Sequence, residues 1–279
     1  MNYDEYIFSL TGLPFRTGSV GKSWLCREIK YIKVGDGEKV SVIVGDFAAN
    51  ASEAKNLLLR WVSDAGNAFK RNGDLGDFKM KAFAEKNTVY IIPLPNPDGD
   101  ELCREGIDET NPFYPRVKRI NKNSLNFSEW TANLRGIDLA RNFNARWLDG
   151  KMLERKRNIF MPSPSGYGGE FPESELETAS LCYFIRKTEP SGICVLRSGK
   201  KSVEYYPGTA SSETAERKAR FISKLNEINV GEIPPERASG SLCGWASSEL
   251  SVPALQLSVE NAEKEYEAYR DILTVAAAI

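Results

Sequence analysis

A few side chains in this sequence have the chemistry and spacing to build a site. Asp46 and Glu53 bracket a bend in VIVGDFAANASEA (42–54), Arg135 and Arg141 stand six positions apart in NLRGIDLARNF, Asp98 and Gly99 fall in NPDG, and Glu260 follows PALQLSV. Carboxylates hold hard cations such as Mg²⁺ or Ca²⁺, but these take six or more oxygens. Asp46 ends an apolar run, and Glu53 lies three positions after Asn50 in the pattern of a capping box, so the two fall short of such a shell. Arginines grip carboxylates and developing oxyanions in a planar fork, and they equally well pair with internal acids such as Asp138. For Asp98 and Gly99 the simpler reading is a Pro-Asp-Gly turn.

The strongest chemical fact is a missing residue type: the chain has no histidine. That removes Ser-His-Asp triads, Cys-His dyads and every imidazole-bound metal. The cysteines, Cys26, Cys103, Cys182, Cys194 and Cys243, are widely spaced and include no CxxC pair, so they read as reduced thiols. GSVGKS (18–23) lacks the glycine that a phosphate loop needs, since Arg16 occupies that position.

These groups must be positioned by a core, and 279 residues suffice for one large domain. Alternation of β-branched runs with helical patterns predicts an α/β fold with a parallel or mixed sheet covered by helices. Strands are expected at Glu28–Val34, Lys39–Gly45, Thr88–Leu94, Gly192–Ser198 and Pro253–Val259. A helix is expected to bury Ala54, Leu57, Leu58, Trp61, Val62 and Ala65 along one stripe. Further helices are expected after a second capping box at Ser174 and Glu177, from Ser212 to Ile228, and from Ala262 to Ala276. The section from Asp98 to Gly169 reads as long loops, the usual material of lids and binding elements. Without repeats, linkers or shifts in composition, residues 1–279 are read as one domain.

The formal net charge of -1 gives no global field for nucleic acid or an anionic membrane, and the basic run ERKRN (154–158) reads as a solvated face. The opening MNYDEYIFSL has neither a basic nor a long apolar region, so a cytoplasmic location is expected.

Five segments taken together, VGKSWLCREIKYIKVGDG, YIIPLPNPDG, NLRGIDLARNFNARW, PESELET and PALQLSV, resemble in order and spacing the zinc carboxypeptidase family. The likeness is greatest to the bacterial branch that cleaves γ-D-glutamyl-diaminopimelate bonds in cell-wall peptides, and it runs from about Gly21 to about Asn261. The resemblance implies a three-layer α/β/α fold around a mixed, largely parallel sheet of about eight strands. It also implies a zinc held by two histidines and a glutamate, with a separate catalytic glutamate.

Carried onto this chain, the zinc ligands fall on Ala48, Ala51 and Arg197, and the catalytic glutamate on Ser258. Arg135 matches the oxyanion arginine and Arg141 the arginine that grips the substrate carboxylate, although Ala140 stands where an asparagine is usual. Ile233 or Pro234 falls about where a mobile tyrosine belongs. Two methyl groups and a guanidinium do not coordinate zinc, so the expectation is a member without cofactor and without hydrolytic activity. Its expected ligand is a peptide or amino acid with a free carboxylate, such as a cell-wall-derived fragment, held by Arg135, Arg141 and Arg197, with neither nucleic acid nor membrane as a partner. The alternatives are a hydrolase with a site rebuilt around Asp46, Glu53 or Glu260, and a purely structural module.

Overall fold

The computed structural model describes residues 1–278. The chain opens with α1 (Tyr3–Ser9) and two strands, β1 (Arg16–Lys22) and β2 (Glu28–Val34), followed by β3 (Lys39–Val44) and the long α2 (Ser52–Arg71). A small hairpin of β4 (Asp74–Leu75) and β5 (Phe78–Lys79) leads through α3 (Met80–Lys86) to β6 (Asn87–Ile92). After it come α4 (Pro97–Glu105), α5 (Tyr114–Ile120), α6 (Trp147–Lys156) and α7 (Leu176–Thr188). The last third runs β7 (Gly192–Ser198), β8 (Ser202–Tyr205), α8 (Ser212–Asn226), β9 (Asn229–Glu232), α9 (Pro235–Ala238), α10 (Leu242–Glu249), β10 (Ala254–Val259) and α11 (Tyr266–Ala278).

Eight strands form one sheet in the order β1-β2-β6-β3-β7-β10-β8-β9. Its centre, β6-β3-β7-β10, is parallel, and β2 on β6 and β8 on β10 are antiparallel. The expected mixed, largely parallel sheet is therefore present. Its central strands are apolar on both faces because both faces are covered. Ile43 of β3 packs into a core with α1, α2, α8 and α11, while Val42 and Val44 face a second core with α7 and α10. The predicted stripe of α2 is buried at all six positions, each worth roughly 1.5–3 kcal/mol for the larger side chains.

Several local expectations give way to tertiary contacts. β1 escapes periodicity because RTGSVGK is a polar edge strand with a bulge between Ser19 and Gly21. The capping box at Asn50 and Glu53 is absent: α2 is capped by Ala51 without a side-chain bond, and the Asn50 amide donates to the Ser128 carbonyl instead. The box at Ser174 and Glu177 is absent too, since Glu175 is the N-cap and its carboxylate is taken by Trp24 and Asn133. The last helix starts at Tyr266 rather than Ala262, after a turn in which Asn261 is left-handed at φ 51°.

The section 98–169 is not loop alone. Asp98 and Gly99 open α4 rather than a turn, and α4 and α5 build a small core of their own with Leu102, Val117, Phe127 and Trp130. Asp98 itself is buried and accepts from Ser23 Oγ, the Leu25 N–H and Arg27, which ties the section to the β1–β2 connection. Among the described residues no helix is long and apolar enough to cross a membrane.

Candidate functional site

β3 leads through α2 and α3 to β6 on one side, whereas its other neighbour, β7, is reached over the opposite face of the sheet and α7. Such a reversal leaves a crevice beyond the carboxyl ends of the two strands. Asp46, just past β3, closes its floor: Oδ1 accepts from the Ala48 N–H at 3.0 Å and Oδ2 from the Ser198 N–H at 2.6 Å. The bend is held from the other side by Asn96. Its amide donates to the carbonyls of Phe47 (2.9 Å) and Ala132 (3.2 Å), while its Oδ1 caps α4 by accepting from the Gly99 N–H. Because Asn96 is buried and serves three segments, Asn96→Ala is expected to lower stability by about 1–2 kcal/mol, read from denaturant unfolding. A loss below about 0.5 kcal/mol would show that the bend does not depend on it.

A cavity of about 510 Å³ opens above this floor, and Ala48, Ala51, Asp46, Arg141 and Arg197 all line it. A larger hollow of about 740 Å³ lies at the amino ends of β3 and β6, between Lys39 and Phe78. Its position is not where an open α/β sheet places its ligands, and none of the residues singled out by their chemistry reaches it.

Three guanidiniums border the carboxyl-end cavity, in different electrostatic states. Arg141 is engaged by Asp138 (Nε to Oδ2, 3.3 Å) and donates to the Glu236 carbonyl at 3.0 Å. Arg237 is paired through both terminal nitrogens with Glu204. Arg197, at the end of β7, is exposed and has no ion pair or hydrogen bond among the described residues. Burial pushes the Asp138 carboxyl up from its ordinary value against the pull of Arg141. Burial likewise pushes Asp46 up, opposed by the Ala48 and Ser198 N–H groups and by Arg197.

Other positions carried over from the resemblance lie elsewhere. Ser258 is buried in β10 opposite Arg197 and Ser202 and does not line the cavity; two residues earlier on the same face, Gln256 does. Glu53 is exposed on the first turn of α2, and Glu260 accepts from the Lys201 N–H, so neither joins Asp46 at the cavity. Arg135 is not at the cavity either. It pairs with buried Glu175 at 3.5 Å and lies over the Trp24 ring at 4.4 Å, while Thr131, Asp138, Ala140 and Arg141 on either side of it line the cavity. Gln256, Glu204 and Arg237 were not singled out by sequence. The available signal was a glutamine inside PALQLSV, a polar side chain in a strand buried throughout.

Zinc needs about four N, S or O donors converging at close to 2 Å. The three positions offer two methyl groups and a cation, and among the described residues no group of three or more His, Cys, Asp or Glu side chains is placed to hold a metal. The donor set does not fit zinc.

Beside Glu175 sits Glu177, buried with Oε1 unpartnered, and burial pushes its carboxyl up to about 8. The folded state therefore holds a proton that the unfolded chain releases near pH 4.5. Its contribution to stability is whole below that pH and is lost as the pH rises through about 8. Unfolding free energy is expected to fall across this window, and the fall to flatten in Glu177→Gln. Parallel profiles for the two proteins would contradict it.

Sequence comparisons give the family, and structure comparisons the fold. The gamma-D-glutamyl-L-diamino acid endopeptidase 1 of Lysinibacillus sphaericus is 30% identical over 236 residues, 84% of this chain and 57% of that protein. The chain thus spans less than three-fifths of that relative's length. A zinc carboxypeptidase of Simulium vittatum is 27% identical over 250 residues, 84% of this chain and 74% of that one. Bovine thrombin-activatable fibrinolysis inhibitor superposes with a TM-score of 0.70 at 16% identity, covering 100% of this chain and 95% of that one, which shows a shared fold. The sequence model of the zinc carboxypeptidase family matches residues 14–266. The chain belongs to the zinc carboxypeptidase family.

Proposed function

We propose that this chain is a zinc-free, non-hydrolytic member of its family that binds peptides ending in a free carboxylate. The peptides in view carry the γ-D-glutamyl-diamino acid link that the name of the endopeptidase relative gives, and are of the cell-wall type that the resemblance implies. The observation that carries the reading is Arg197: an exposed guanidinium with no ion pair or hydrogen bond among the described residues, bordering the cavity at the position where the resemblance places a zinc ligand. A planar fork of donors there meets a carboxylate with paired, charge-assisted hydrogen bonds.

Hydrolysis needs an activated water and a group that shuttles its proton. Ala48 and Ala51 provide no ligand for a metal that would activate the water. In the segment where the resemblance places the catalytic glutamate, the cavity side chain is Gln256, whose amide is neither an acid nor a base near neutrality. Arg141, with Asp138 and Glu236 already engaged, shapes the wall and adds charge at longer range.

A direct test uses two forms of one peptide, γ-D-glutamyl-lysine with a free carboxyl terminus and the same peptide amidated there, titrated calorimetrically in the presence of a chelator. The free acid is expected to bind at least about tenfold more tightly, the value of losing charge-assisted bonds. Equal affinities, or binding of neither, would remove the proposal.

A further inference from the structure

Gln256 stands directly opposite Glu204 across the antiparallel pair β10–β8, and its Nε2 donates to Glu204 Oε2 at 2.8 Å. A carboxylate only accepts, so the amide nitrogen must be the atom turned toward Glu204. Glu204 is in turn fixed by Arg237, which donates to both of its oxygens. The guanidinium and the carboxylate balance each other's charge and hold the Glu204 oxygens in place. The amide is therefore held with Nε2 on Glu204. Among the described residues no protein donor is paired with Oε1, which is not fully enclosed, and Gln256 lines the cavity, so Oε1 is free to accept from a ligand there.

The parallel register between β10 and β7 sets Gln256 beside Val195 and Ser258 beside Arg197. Gln256 and Arg197 are thus diagonal neighbours on one face of the sheet, with backbones about 7–8 Å apart. One position presents an acceptor and the other a cation without an ion pair among the described residues, on neighbouring positions of the same face.

We infer that Gln256 is a specificity-determining residue that reads an N–H donor next to the bound carboxylate, with Glu204 and Arg237 as the positioning pair that fixes its amide. The ligand class narrows accordingly, to carboxylates bearing an amide or amine N–H on the adjacent carbon, against hydroxy acids, esters and simple carboxylates. This inference rests on the carboxylate-binding reading above.

The test compares γ-D-glutamyl-lysine with its depsipeptide analogue, in which an ester oxygen replaces the linking N–H, by calorimetric titration. Wild-type protein is expected to favour the amide by about tenfold, because the ester loses a hydrogen bond and sets an oxygen against Oε1. In Gln256→Met the preference is expected to fall toward one while affinity for the depsipeptide stays within about twofold, which shows that the cavity still stands. Glu204→Gln, by freeing the amide to turn over, is expected to lower the preference in the same direction without weakening depsipeptide binding. Equal binding of both ligands to wild-type protein, or an undiminished preference in Gln256→Met, would overturn this inference alone. Binding of neither ligand would remove the carboxylate reading and this inference together.

Discussion

Asp100→Ala is expected to lower the unfolding free energy by about 3–5 kcal/mol, the penalty for leaving a buried charge without its partner. Lys55 of α2 and Asp100 of α4 are 2% and 3% exposed, and Nζ lies 2.9 and 3.0 Å from the two carboxylate oxygens. Arg104 donates to the same carboxylate through Nε and a terminal nitrogen, each at 3.0 Å. The arrangement is asymmetric. Removing Lys55 leaves Asp100 paired with Arg104, whereas removing Asp100 strands an ammonium that burial already pushes toward its neutral form. Lys55→Met is therefore expected to be the milder change. The pair joins the helix that follows the Ala48–Ala51 bend to the helix capped by Asn96. Urea unfolding at neutral pH measures the effect, and a loss under about 1 kcal/mol for Asp100→Ala would show the charge is solvated rather than locked.

Arg197→Ala is expected to weaken binding of a free-carboxylate peptide by about 10- to 100-fold and to leave the melting temperature unchanged. The two halves of this expectation follow from one fact: the guanidinium is exposed and makes no internal pair among the described residues. It can give its donors to a ligand, and when it goes the fold gives up no ion pair or hydrogen bond among the described residues, only its pull on the Asp46 carboxyl. Arg197→Lys retains the charge but not the fork, so an intermediate loss is expected. Arg141→Ala reverses the pattern. With its bonds spent on Asp138 and Glu236, its loss would affect stability, through the buried carboxyl left behind, more than affinity. Calorimetric affinities and melting curves on the three variants read this out. A large loss of stability in Arg197→Ala, with unchanged affinity, would assign it to the scaffold.

The parts of the fold legible in sequence were those whose pattern is set by burial alone. α2 repeats its apolar stripe without interruption, and β3, β7 and β10 are apolar on both faces, so period and composition mark them. Features decided by long-range partners were not legible. Asn50 and Ser174 carry the letters of capping boxes, yet Ser128 claims the first, and Glu175 is drawn off by Trp24 and Asn133. β1 is polar because it is an edge, and α4 hides in NPDG because a turn and a capped helix start share the same residues.

The site shows the same division. Ala48, Ala51 and Arg197 come from a bend and a strand end whose neighbours fix their register, and the structure brings them to one cavity. Arg135 differs because its side chain is taken by Glu175 and Trp24, partners distant in sequence. The place assigned to Ser258 is taken by Gln256, a shift of one full β repeat that keeps the face and changes the depth. Glu204 and Arg237 come from β8 and α9, segments that only the folded sheet brings beneath Gln256.

The most direct measurement incubates metal-stripped protein with γ-D-glutamyl-lysine, in chelator and in a slight excess of zinc, and records both affinity and the integrity of the recovered peptide. The expected result is the same affinity in both conditions, no retained zinc after dialysis, and intact peptide. Stoichiometric zinc with release of free lysine would contradict the account.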